Sequence, residues 1–303
     1  MKDSESTDRL NLQWRTFDRC PLCKAGKDLF QKWFESDFVH VAKCARCGFK
    51  FLNPYVSPQS MLEIYSSSES MSSVNKKLTH YYDHFEGSKT ENCFRVSLEE
   101  LERLGPTGSL LDIGCGRGKF LTLAREREWR VIGIEPGAEH AAYAKEKLGI
   151  EVVNASIEEA EFGEMQFNAI SMWDVIEHVD DPMRVLKKIN AWLKPSGFLL
   201  LATPNHKSLL NFLARAVYLL TGGIFKKPLT YFFVPEHVFY FTPTSLGELL
   251  RECGFIPVKE MATGTDIDRY AVSPIVKMVA RALLPMAKIL RAENRMVWLC
   301  QKV

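Results

Sequence analysis

From residue 108 onward, short apolar runs alternate with amphipathic stretches in a regular order. "GSLLDIG" is a buried strand, "KFLTLAREREW" a helix, "RVIGIEP" a strand, and "AEHAAYAKEKLG" a helix that Gly149 stops. "IEVVNAS", "FNAISMWDV" and "GFLLLATPN" are further strands, and "DPMRVLKKINAWLK" is a helix with Pro182 in its first turn. "TPTSLGELLRECGF" adds a helix leading into "IPVKEM", and "RMVWLCQKV" is a last strand. Upstream, "HYYDHFEGSKTENCFRVSLEELERLG" is helical and closes at Gly105 and Pro106. Strands and helices alternating at these lengths predict an α/β fold, a Rossmann-like doubly wound seven-stranded sheet over residues 91–303.

Two stretches interrupt the alternation. Residues 206–235 hold an apolar helical segment with Arg215 in its middle and Lys207, Lys226 and Lys227 at its flanks. Within residues 262–293, Lys277, Arg281, Lys288 and Arg291 fall near one helical face, opposite Ile275, Val279, Leu283 and Ile289, with Pro285 expected to kink the helix. Both sit where such a sheet inserts substrate-covering elements. The basic pair suits either an anionic membrane surface or, more commonly, a lid packed on the sheet with its cations in water.

The N-terminal residues read differently. "CPLC" and "CARC" place Cys20, Cys23, Cys44 and Cys47 as two C-x2-C knuckles, the strong form of the zinc signal. One tight turn aims two thiolates at one ion, and two turns complete a tetrahedron; four sulfurs leave no open position, so the zinc is structural. Lys24, Lys43, Arg46 and Lys50 are close enough in sequence to offset the negative charge of such a site. The stretch between the knuckles reads as a short hairpin. The expected organisation is a zinc ribbon over 1–56, a linker or cap over 57–90, serine-rich from Ser66 to Ser73, and the sheet domain beyond.

Composition narrows the partners. The net charge of +2 gives no global argument for nucleic acid, although residues 206–303 carry thirteen Lys/Arg against seven Asp/Glu. The polar N-terminus lacks the apolar core of a signal peptide. Cys93, Cys115, Cys253 and Cys300 are scattered, which suits a reducing cytoplasm better than a disulfide framework.

The chemistry concentrates in "LLDIGCGRGKF". Its order is D-x-G-x-G-x-G, not the G-x-G-x-x-G that seats a pyrophosphate, and the next strand ends in Glu135. An acid there accepts both hydroxyls of a ribose, and Asp112 suits a ligand bearing an ammonium group.

With "LLDIGCGRG", "GIEP", "NASIEEAEF", "FNAISMWDVIEHVDDP", "LLLATPN" and "PEHVFYFTPTSLGELLRECGF", the chain resembles the class I S-adenosylmethionine-dependent methyltransferases. Within them it resembles a bacterial branch with an N-terminal zinc ribbon, related to the ubiquinone O-methyltransferases. The resemblance runs from about Cys20 to Phe255. It implies that Asp112, Gly114, Cys115 and Gly116 line the methionine part of the cofactor and that Gly118 shapes the loop. It further implies Glu135 at the ribose, Ser156 and Ile157 at the adenine, and Trp173 and Asp174 closing over the sulfonium side. The family often has Asp where Ser156 stands.

A hydroxyl acceptor needs a general base, and His178 in "DVIEHV" and His237 in "PEHVFYF" are the candidates. "DVIEH" also resembles an E-x-x-E-H stretch whose acids and histidine hold a divalent ion, with Asp174 replacing the first Glu. The plainer alternative has His178 capping a helix and Glu177 exposed on its first turn. "SMWDV" is neither an N-P-P-Y nor a Pro-Cys element, which disfavours DNA as acceptor. The expectation is methyl transfer to a small molecule, most readily at a hydroxyl of a quinol, sugar or lipid-linked intermediate. It carries a cytoplasmic location with peripheral contact to the inner membrane face. An RNA methyltransferase and a non-catalytic zinc-ribbon binding protein remain as alternatives.

Overall fold

The computed structural model describes residues 12–36, 39–65, 85–262 and 274–303. The serine-rich stretch, His80, His84 and residues 263–273 lie outside them.

The strands in chain order are β1 (Trp14–Arg15), β2 (Phe30–Ser36), β3 (Val39–Cys44), β4 (Lys50–Leu52), β5 (Tyr55–Val56), β6 (Ser109–Ile113), β7 (Arg130–Ile134), β8 (Glu151–Val153), β9 (Phe167–Trp173), β10 (Leu193–Pro204), β11 (Phe239–Tyr240), β12 (Phe255–Ala262) and β13 (Arg295–Lys302). The described helices are α1 (Pro58–Tyr65), α2 (Lys89–Leu104), α3 (Lys119–Glu126), α4 (Ala138–Leu148), α5 (Pro182–Trp192), α6 (Leu209–Leu220), α7 (Pro243–Glu252) and α8 (Pro274–Ile289).

The large sheet runs β12-β13-β10-β9-β6-β7-β8. Pairs among β10, β9, β6, β7 and β8 are parallel, and β13 is antiparallel to both its neighbours. Strand order reverses between β6 and β9, which makes that edge the switch point where such sheets bind ligands. The central strands are covered on both faces, so β10 carries Leu199, Leu200, Leu201 and Ala202 consecutively, all buried. Helix ends follow local chemistry. Asp181 caps α5 by accepting from Met183 N and Arg184 N, and Gly149 at φ 60° ends α4. Thr242 and Ser245 cap each other at the start of α7.

The N-terminal module forms a second sheet, ordered β11-β4-β3-β2. Its fourth strand comes from beyond α6, so the ribbon is completed by residues nearly two hundred positions downstream. Phe239 pairs with Phe51, Tyr240 pairs with Lys50, and Leu52 N donates to Val238 O at 2.8 Å. Phe34 meets Phe233 with ring centroids 5.4 Å apart, and Phe49 meets Phe241 at the same separation. Tyr55 Oη donates to Asp180 Oδ1 at 3.0 Å. The expected boundary at residue 56 therefore leaves out part of the ribbon sheet. Asn53 and Pro54 form the turn between β4 and β5, and Asn53 Oδ1 accepts from Phe17 N.

The two insertions meet, since α6 packs against α8. Here the expected lid with a buried apolar face does not form. Helix α8 buries only Ala280 and Ala287, while Ile275 is 70% exposed and Ile289 82%. The fully buried positions are small residues, while Ile275, Met278, Val279, Met286 and Ile289 are exposed.

Candidate active site

The glycine loop follows β6 directly. Gly114, Gly116 and Gly118 all have positive φ. At Gly114 a Cβ would fall 2.5 Å from Val175 Cγ2, so both the conformation and the space exclude a side chain. The first glycine is bare because the chain past β9 crosses it there. Cys115 is buried, and its sulfur lies where Gly133 leaves room: a Cβ on Gly133 would stand 2.5 Å from it. Gly133 is a site-shaping residue that the sequence did not announce, since a glycine inside a strand carries no periodic signal.

Asp112 is 2% exposed and accepts from Ser171 Oγ at 2.7 Å. Burial, with Glu135 nearby, pushes its carboxyl up to about 8. Glu135 closes β7 and is also buried; its Oε2 accepts from Gly116 N and its Oε1 from Gly137 N, each at 2.8 Å. Burial raises it, and these two amides oppose the rise. Asn154 Nδ2 donates to Glu135 O, fixing the strand end. The two buried acids lie close enough for Glu135 to add to the rise at Asp112, and among the described residues no Lys or Arg forms an ion pair with either, an arrangement that favours a positively charged ligand. After β8, Ser156 Oγ donates to Glu159 Oε2 at 2.9 Å, and Ile157 is buried.

Trp173 ends β9 inside an aromatic cluster, with Phe94 at 4.4 Å and Phe120 at 5.1 Å between ring centroids. Its Nε1 is buried with no hydrogen-bond partner among the described residues. Asp174 has a left-handed backbone at φ 55° and is held by Arg295: Nε donates to Oδ1 at 2.9 Å, and Nη2 lies 2.7 Å from Oδ2. Arg295 opens the last strand, and nothing in its local sequence links it to position 174.

The alternative reading of Glu177 and His178 is corrected. Residues 175–178 form a turn, and α5 starts only at Pro182. Glu177 is 1% exposed; Thr203 Oγ1 donates to its Oε2, and burial beside Asp174 raises its carboxyl. Its backbone carbonyl accepts from Val238 N and Phe239 N, which ties this turn to β11. His178 Nδ1 lies 2.7 Å from Glu236 O. A carbonyl only accepts, so Nδ1 carries the proton and Nε2 carries the lone pair in the neutral ring. His237 stands edge-on to His178 with centroids 4.7 Å apart. Burial lowers both imidazoles, and His237 is pushed further by His178 and His206, so both are neutral at pH 7. Ligand atoms of Glu177, His178 and His237 lie within 4.8 Å of one another. One carboxylate and two imidazoles at that range fit a divalent cation.

His206 joins this wall: it is buried, bonded to Asn211 Nδ2 at 3.2 Å, and its ring meets Tyr240 at 4.7 Å. Asp112, the glycine loop and Glu135 thus stand at the ends of β6 and β7, while His178, in the turn past the neighbouring β9 whose Val175 crosses Gly114, meets His237. The zinc-ligand candidates are separate. Cys20 and Cys47 sulfurs are 3.6 Å apart, as are those of Cys23 and Cys44, and all four lie within 4.8 Å. A tetrahedron with arms of 2.3 Å has edges of about 3.8 Å, so the cluster fits zinc.

A seven-stranded sheet in this order, with a glycine loop and a strand-end acid at its switch point, is the fold of the class I S-adenosylmethionine-dependent methyltransferases. Residues 82–260 match the family described as Methyltransferase domain, more than half the chain, and the protein belongs to that family. The ubiquinone biosynthesis O-methyltransferase of Rhodopseudomonas palustris is 37% identical over 101 residues, covering 32% of this chain and 40% of the relative. That of Pseudomonas aeruginosa is 32% identical over 111 residues, covering 34% and 48%. The match thus spans less than half the length of these relatives. Among solved structures, 1,6-didemethyltoxoflavin-N1-methyltransferase of Burkholderia thailandensis, with 1,6-didemethyltoxoflavin and S-adenosylhomocysteine bound, superposes with a TM-score of 0.54. It is 18% identical and covers 90% of this chain and 99% of its own.

Proposed function

We propose that the protein transfers the methyl group of S-adenosylmethionine to a hydroxyl of a small molecule. Asp112, Gly114, Cys115 and Gly116 surround the methionine part, with Gly118 holding the loop. Glu135 grips the ribose, Ser156 and Ile157 flank the adenine, and Trp173 and Asp174 border the sulfonium. The sulfonium brings its own activation, so the chain's task is to align acceptor oxygen, methyl carbon and sulfur and to exclude water. His237 accepts the hydroxyl proton as the C–O bond forms and the C–S bond breaks, leaving a neutral thioether. His178, fixed as the Nδ1-H tautomer, orients His237.

The observation that carries this reading is the buried, neutral pair at 4.7 Å beside the switch point. A base must be unprotonated at working pH, and these are. His237→Ala should lower turnover by about 10²–10⁴ with cofactor affinity unchanged; an unaltered rate removes it as the base. Incubation with methyl-labelled cofactor and cell extract, followed by mass spectrometry, tests the acceptor class, and label in RNA would replace it.

A second reading is favoured by the ligand geometry of Glu177, His178 and His237. A divalent ion held there would lower the pKa of the acceptor hydroxyl. Elemental analysis of the active protein separates the two: one zinc per chain, from the four cysteines, favours the imidazole base, whereas a second divalent ion that Glu177→Gln removes together with activity favours the metal. The four-cysteine site holds a structural zinc. The outward apolar side chains of α6 and α8, with Lys226, Lys227, Lys277, Arg281, Lys288 and Arg291 around them, suit the anionic inner face of a membrane. No described helix is long and apolar enough to cross one.

A further inference from the structure

Three cations converge on one indole outside the site described above. Lys43 Nζ lies 5.1 Å from the Trp33 ring centroid, Lys50 Nζ 4.5 Å, and the Arg215 guanidinium carbon 4.1 Å. They come from three elements, β3, β4 and α6, and the indole from a fourth, β2. Among the described residues no carboxylate pairs with any of the three. Arg215 Nη1 donates to Trp33 O at 3.1 Å, which fixes the guanidinium, while its Nε is buried without a partner among the described residues. Like charges held this close repel. Burial, together with Lys43 and Arg215, brings Lys50 down to about 8. Stacking on the indole recovers only part of that cost.

The sequence offered another use for Lys43 and Lys50, as counter-charges to the tetrathiolate. The strand pleat argues against it. Lys43 precedes Cys44 in β3, and consecutive strand residues point to opposite faces. Lys50 stands between Phe49 and Phe51, whose rings pack into the ribbon's aromatic core, so it too faces the other way. That other face is the one joined to the acceptor wall. Lys50 pairs with Tyr240 across β4 and β11, Tyr240 meets the His206 ring, and His206 N donates to Phe241 O at 2.9 Å, in the segment that follows His237.

We infer that Trp33, Lys43, Lys50 and Arg215 form an anion subsite that takes a phosphoryl or diphosphoryl group of the methyl acceptor. Three fixed positive charges match a diphosphate ester better than a single carboxylate. The Arg215 guanidinium gives Trp33 O only one of its donors, and its planar fork is the donor geometry that phosphate oxygens use. All four residues are half-buried, so an anion reaches them from solvent and meets them partly desolvated. The subsite rests on the methyl-transfer reading for its role, not for its existence. It narrows the acceptor to a phosphorylated molecule: either a lipid diphosphate presented at the outward face of α6 or a soluble sugar phosphate.

The test is calorimetry on the full-length, zinc-loaded protein, titrated separately with S-adenosylhomocysteine and with inorganic diphosphate. Wild type should bind diphosphate, with affinity falling as salt rises. Lys50→Met and Arg215→Met should each weaken it by about tenfold or more, with S-adenosylhomocysteine affinity unchanged; Arg215→Lys, which keeps the charge but loses the fork, should fall between. The double variant Lys277→Met, Arg281→Met removes two cations from α8 and should leave diphosphate binding as it was. Cofactor binding with no diphosphate heat in wild type overturns the subsite and leaves the methyltransferase reading standing. Equal loss in the α8 variant also overturns it, because the binding would then be diffuse. No cofactor binding with diphosphate retained would sink the methyltransferase reading instead. Competition by farnesyl diphosphate and by a uridine diphosphate sugar distinguishes the two sources, and tighter binding of either supports the subsite.

Discussion

The grip around Glu135 and the acceptor side of this site are assembled at different ranges along the chain, although Asp174 on the cofactor side also reaches far, to Arg295 across 121 positions. Glu135 is held by Gly116, nineteen residues away, and by Gly137, two away; Asn154 reaches it across nineteen. On the other side Arg215 binds Trp33 across 182 positions, and the turn at Glu177 is stitched to β11. A short-range assembly forms with its own βα unit. A long-range one exists only when the ribbon, the 177 turn and the insertions are docked together. The lesson is that a cofactor grip and an acceptor wall in one domain can depend on different parts of the fold.

The largest effect should come from the zinc cysteines. Cys20 and Cys44 are fully buried, and zinc supplies about 10–16 kcal/mol to comparable small modules. Cys44→Ser should abolish zinc content by elemental analysis and lower methyl transfer by at least about 100-fold, with cofactor affinity nearly unchanged. If cofactor affinity falls in parallel, the two sides are one cooperative unit and the contrast is lost.

Glu135→Ala makes the reverse cut. Losing a doubly accepting, buried carboxylate should weaken S-adenosylhomocysteine by roughly 100-fold, or about 2.7 kcal/mol, in a calorimeter. Zinc content and diphosphate binding should not change. Unchanged cofactor affinity would remove the ribose assignment.

A smaller effect sharpens the cofactor side through pH. Asp112 holds its proton up to about 8 in the folded chain, against 3.8 ordinarily. The native state therefore binds the extra proton between those values. The stability this group contributes is complete below pH 3.8 and is lost as pH rises to about 8. The thermal midpoint of the cofactor-free protein should fall from pH 5 to 8. Asp112→Asn should flatten that slope, and so should the cofactor, whose ammonium group suits the ionised carboxylate. A slope that is unchanged in the variant would assign the effect elsewhere.

The smallest change should be on the outward face of α8. Ile289→Ser should alter stability by less than about 0.5 kcal/mol, because the side chain is 82% exposed. The same substitution should reduce co-sedimentation with anionic vesicles; retention of full vesicle binding would remove α8 from the proposed membrane contact.

The sheet was legible because its strands are apolar on both faces and its helices carry their own start and stop signals, as at Asp181 and Gly149. The glycine loop was legible because positive φ admits few other residues. The reading that left Glu177 exposed failed because a position four residues past a strand gives no sign that β11 will return over it. Arg295 and Gly133 were missed for the same reason: one is a cation at a strand start, the other a glycine within a strand. The apolar side of α8 was expected inward on periodicity alone, but periodicity records which residues share a face and not what covers it.

The sequence by itself determined the parallel sheet, the cofactor loop with Glu135, and the four-cysteine cluster, because each is encoded by contiguous residues whose backbone or donor chemistry allows few alternatives. Only the tertiary structure decided that β11 completes the ribbon, that His178 meets His237, and that Lys43, Lys50 and Arg215 share one indole. Those are meetings between side chains far apart in the chain, and their partners are chosen by packing, which leaves no local mark.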